Sequence, residues 1–183
     1  KADEVTVVET EGKEEIVNTF LKPEITSLAL SKNTRLHMLE YGDKSPIVET
    51  VTMNHLALHH KYKLVSKLVN TSTGSVATMP NAEGKDEEIQ GVTEFTCTPE
   101  DIKKGELYTE KKMDVEFTVD SNKLKGWTYV VYEYLYDMTE TELQKSEKDL
   151  LVSAEEDINN KDQSLKAPIV YTKAYDFYTK DNQ

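Results

Sequence analysis

The stretch "GWTYVVYEYLY", residues 126–136, alternates so that Trp127, Tyr129, Val131, Glu133 and Leu135 fall on one face. Side chains point to opposite sides at every step of a β-strand, so this spacing predicts a strand with one packed face. Glu133 breaks the apolar row at its centre. An ionised carboxylate is not buried without compensation, so Glu133 must be neutral, paired or on the solvent side.

The same period recurs outward from this strand. "KKMDVEFTV" sets Met113, Val115, Phe117 and Val119 against Asp114, Glu116 and Thr118, a half-buried strand closed by the turn residues of "DSNKLKG". "HKYKLVSKLVN" places Tyr62, Leu64 and Leu68 together before the turn "NTSTGS", and "IQGVTEFTCT" reads as another short strand. Residues 79–88, "MPNAEGKDEE", read as a solvated loop. Only residues 137–150 carry a helical pattern, polar nearly all round, which predicts a short surface helix. Strands at close spacing without helical crossovers predict an all-β fold, an immunoglobulin-like antiparallel β-sandwich.

The 183 residues suffice for one domain with flanks, and 22 Lys and Arg against 34 Asp and Glu leave a net charge of −12. That charge argues against nucleic acid or an anionic membrane as partner. The chain shows neither a basic-then-apolar leader nor a long apolar run, so no membrane insertion is expected. The single cysteine, Cys97, excludes an intrachain disulfide and has no companions for a zinc site. His55, His59 and His60 fall between two strands and read as turn residues rather than metal ligands. "EEDINNKD" lacks the glycine and closing glutamate of a calcium loop. No metal or cofactor is expected, and no phosphate loop or nucleophile elbow appears.

An internal echo bears on the domain limits. "NTFLKPEITSLALSKN" from Asn18 and "QSLKAPIVYTKAYDFYTKDN" from Gln163 superpose with Pro23 on Pro168 and Ala29 on Ala174. Such an echo predicts one unit over 23–168, with the tail of a preceding unit in 1–22 and the head of a following one in 169–183.

The order "PEITSLA", "IVETVTM", "YKLVSKLVNTSTG", "VEFTVDSNKLKGWTYVVYEYLY" and "EEDINNKDQSL" resembles the VaFE-type repeat, the Thr–Gln ester-bond domain of Gram-positive surface adhesins. The resemblance implies an extracellular, cell-wall-associated stalk module whose first and last strands are joined by a self-formed ester, with loss of ammonia. Because it reacts once, such a module is not an enzyme. Carried over by position, the resemblance implies Gln163 as the ester glutamine and Ser27 in place of the threonine, Thr26 lying one residue out of register. It implies a protonated Glu133 donating to the Gln163 carbonyl, Glu49 in place of an aspartate, and Glu155 in place of a histidine. Glu49 shares a face with Ile47, Val51 and Met53, a second acid in an apolar row.

Neighbouring modules of the same protein are the implied partners. The alternatives are a domain that contacts a host protein through loops 70–91 and 137–154, and a filament subunit completed by strand addition through 1–22 or 169–183. A Lys–Asn isopeptide tie is disfavoured, since no lysine shares the face of Ile25, Ser27 and Ala29.

Overall fold

The computed structural model describes residues 5–7, 18–106, 108–124, 126–139 and 147–170. A short ladder pairs β1 (Val5–Val7) with β2 (Asn18–Phe20). The sandwich begins with β3 (Glu24–Ser31), β4 (Ser45–Asn54) and β5 (Lys61–Asn70). A hairpin of β6 (Thr78–Pro80) and β7 (Asp86–Glu88) follows, then β8 (Gln90–Thr96), β9 (Glu110–Val119) and β10 (Thr128–Asp137). One helical turn, α1 (Glu147–Leu150), precedes β11 (Leu151–Glu155) and β12 (Ser164–Lys166).

One sheet has the order β3-β4-β9, the other β11-β10-β5-β8 with β12 also on β10, and all these pairings are antiparallel. The expected immunoglobulin-like β-sandwich is the fold observed. Two expectations change. Residues 79–88 are no simple loop but lie largely within the β6–β7 hairpin, whose residues are mostly exposed and therefore show no apolar alternation. Of the helical pattern in 137–150, the described residues form only α1, while 140–146 lie outside the description.

Strand β10 sets the geometry at one edge. Strand β5 pairs with Tyr129–Asp137 on one side. On the other, β12 takes Thr128–Val130 and β11 takes Glu133–Tyr136. Two strands therefore share one edge, and Glu133 lies where the partner changes. Strand β3 is tied across the sandwich edge to the segment leading into β12, since the Ala29 N–H donates to the Asp162 carbonyl at 2.9 Å.

Alternation gives four strands the same interruption. Ile25, Ser27 and Ala29 on β3 face inward, as do Ile47, Glu49 and Val51 on β4, Leu64, Ser66 and Leu68 on β5, and Val131, Glu133 and Leu135 on β10. The apolar members fall into two separate clusters, one around Leu64, Leu135 and Val51 and the other around Leu68, Val131 and Ile47. A polar layer one residue deep divides the core. Trp127, expected on the packed face, precedes β10 and is exposed.

Where β8 meets β9, the sheets approach closely at Gly91. A Cβ there would stand 2.6 Å from Val115 Cγ1 and 3.0 Å from Phe117 Cδ1. Gly91→Ala is expected to cost about 1–3 kcal/mol by overpacking, read as a lower denaturation midpoint at unchanged slope.

Candidate functional site

The polar layer brings the first and last strands into contact. Ser27 is inward on β3 because of its odd position, and Thr26 beside it is exposed. Gln163 precedes β12 and is fully buried. The Val131 N–H donates to its carbonyl at 3.1 Å, extending the β10–β12 ladder by one residue. The preceding loop is shaped by its own side chains, with Asp157 Oδ1 accepting from the Asn159 N–H and Asn160 Oδ1 from the Asp162 N–H. These are Asx turns, so the acidic closing motif acts here as a shaped loop.

Three side chains meet at the centre. The Ser27 hydroxyl donates to Glu133 Oε1 at 2.9 Å and accepts from Gln163 Nε2 at 2.5 Å. The Gln163 amide nitrogen also donates to Glu133 Oε2. Glu133, fully buried, thus accepts two hydrogen bonds, one on each oxygen. This differs from the donor role that the resemblance implies: the amide nitrogen, not the carbonyl, faces Glu133, and Gln163 Oε1 has no partner among the described residues.

Glu49 is fully buried on β4, next to β3, where its strand partner is Ala29. Loss of hydration pushes its carboxyl up to about 7, while the hydroxyls of Ser66 and Ser27 pull the other way. Among the described residues, neither of its oxygens has a hydrogen bond of good geometry. Glu155 sits on β11 directly across from Glu133, so register gives it the same face, but it is only half-buried. Two of the three carboxyls are therefore inside, and the third flanks them.

Ser66 was missed by the sequence reading. It lies opposite Glu133 in the β5–β10 register and is fully buried. Its signal is the one that singled out Glu133, a polar residue in an apolar row. Elsewhere, His60 pairs with Asp137 at 2.6 Å. Among the described residues no cluster of His, Cys, Asp and Glu is arranged to hold a metal ion, and no helix is long and apolar enough to cross a membrane. Cys97 is buried in the Leu64 cluster.

Residues 23–167 match a family model described as the T-Q ester bond containing domain. Two solved structures of a bacterial adhesin from Mobiluncus mulieris, in different crystal forms, share the fold with a TM-score of 0.58. That adhesin is described as containing intramolecular disulfide, isopeptide and ester bond cross-links, and its identity to this chain is 17% and 18% in the two forms. Each match covers 83% of this chain and 59% of the adhesin chain. No curated protein matches the chain.

Proposed function

The chain belongs to the family of T-Q ester bond containing domains, and on that premise we propose that it is a load-bearing module of a bacterial surface adhesin, stapled by an ester between Ser27 and Gln163. The observation that carries this reading is the three-way contact of Ser27, Gln163 and Glu133.

Glu133 touches both reacting groups. The Ser27 proton passes to Glu133 Oε1 as Ser27 Oγ attacks the Gln163 side-chain carbonyl carbon. The carbon–nitrogen bond then breaks, Glu133 returns the proton to the departing nitrogen, and ammonia leaves. One ester C–O bond forms, one amide C–N bond breaks, and no other reactant is required. Holding the groups in contact supplies much of the acceleration, since effective molarities for well-oriented groups reach roughly 10⁵ M or more.

Glu49 fits as the acid that keeps its proton. With its carboxyl near 7, it is neutral on the acid side of that value and adds no charge beside Glu133. Serine in place of threonine supplies the same hydroxyl without the β-methyl that restricts rotation. A half-buried Glu155 in the histidine position leaves the proton transfer to Glu133.

The product is mechanical. A bond from the first strand to the last sends tension through a covalent tie instead of a hydrogen-bond ladder, as suits a stalk between an adhesive tip and the bacterial surface. The module reacts once, on itself, and turns over no substrate.

The intact mass of the parent is expected to be lighter than its composition by one ammonia, and that of Gln163→Ala to equal its composition. A parent of full composition mass would rule out the ester and leave a noncovalent module.

A further inference from the structure

Ser66 has no part in the proton transfers just described. It occupies the inward row of β5 between Leu64 and Leu68, fully buried, where an alanine or valine would complete the apolar surface. Its strand neighbours are Glu133 on β10 and Gly91 on β8. Its hydroxyl meets no partner in good geometry among the described residues, and burying a hydroxyl unsatisfied is unfavourable. Across the sandwich, both oxygens of Glu49 are in the same condition. A donor without an acceptor thus faces an acceptor without a donor, in a layer one residue deep.

The surroundings of Glu49 leave few other groups to influence it. Its own sheet offers Ala29 on β3 and Val115 on β9, neither charged. The opposite sheet offers Glu133 on β10 and, flanking it, Glu155 on β11. The buried residues among those described include no lysine, arginine or histidine.

We propose that Ser66 is a positioning residue for the cross-link: its hydroxyl donates to Glu49, holds that carboxyl beside Ser27, and sets the pH range over which the ester forms. The inference rests on the ester reading above. If Glu49 ionises, a second negative charge joins Glu133 in the same dry layer, and Glu133 is then less able to hand a proton to the leaving nitrogen. Cross-linking should therefore slow as pH rises through the titration of Glu49. The hydroxyl of Ser66 favours ionised Glu49, as its pull on that carboxyl indicates, so removing it should move the decline to higher pH.

The test follows the loss of ammonia, by intact mass, from chain freshly released by cell-free synthesis and sampled between about pH 5 and pH 9, the span across a group that titrates near neutrality. Ser66→Ala, nearly isosteric, should shift the declining limb up by about one pH unit, the change expected from losing one hydrogen bond to a charged group. Ser66→Thr, which keeps the hydroxyl, should leave the limb in place. In a Glu49→Gln background, Ser66→Ala should shift nothing. An unmoved limb, or an equal shift with Gln at position 49, overturns the role of Ser66 and leaves the ester intact. A parent that never loses ammonia at any pH overturns both readings.

Discussion

Ser27→Ala is expected to lower the free energy of unfolding by about 5 kcal/mol, because a link between residues 136 apart removes loop-closure entropy from the unfolded chain. The substitution is the mildest that prevents the ester. It deletes one hydroxyl from a half-buried position and leaves the Gln163 amide donating to Glu133. In the linked parent Ser27 Oγ carries no proton and the Gln163 nitrogen has left, so the difference reports the link and not a hydrogen bond from Ser27. Denaturant unfolding of parent and variant, each checked by intact mass, measures the effect. A linked parent treated with hydroxylamine, which cleaves esters, should unfold much as the variant does. If the linked parent and the variant unfold alike, the ester contributes nothing to stability and the mechanical role loses its support.

The fold and the site were legible in the sequence to different depths. Period-two alternation exposed β4, β5, β9 and β10 because each buries one face and pays a visible cost for any polar residue on it. Glu49 and Glu133 were conspicuous for that reason. Ser66 was not, since a serine in an apolar row costs far less than a carboxylate and draws no attention alone. The β6–β7 hairpin escaped because a mostly exposed polar hairpin has no apolar face to alternate. The polar layer itself belongs to register: Ser27, Glu49, Ser66 and Glu133 come from four strands, and only their pairing places them at one level. Which way the Gln163 amide points is fixed by tertiary contacts with Ser27 and Glu133, and no local pattern encodes it.

Dividing a core with such a layer works against stability, and Glu49 is where the cost should be measurable. Its carboxyl is raised from 4.5 to about 7 in the folded chain, chiefly by burial. Below the unfolded value both states hold the proton, and the group contributes no pH dependence to folding. As pH rises from 4.5 towards 7, the unfolded chain releases the proton while the folded chain keeps it, so stability falls by about 1.4 kcal/mol per unit. Above 7 both states are ionised, and the folded state carries the whole penalty, about 3 kcal/mol. Glu49→Gln has nearly the same shape and no proton to lose. It should equal the parent near pH 4 and exceed it by about 3 kcal/mol near pH 8, the difference opening between those limits. Denaturant unfolding of both proteins across this range measures it, and taking the difference cancels the carboxylates they share. A constant difference would mean that Glu49 titrates alike in the folded and unfolded chains, and its place as the neutral acid beside Ser27 would be lost. If the difference opens as expected, the module retains an acid that weakens it at neutral pH, a cost that makes sense where the same layer must first bring Ser27 and Gln163 to reaction.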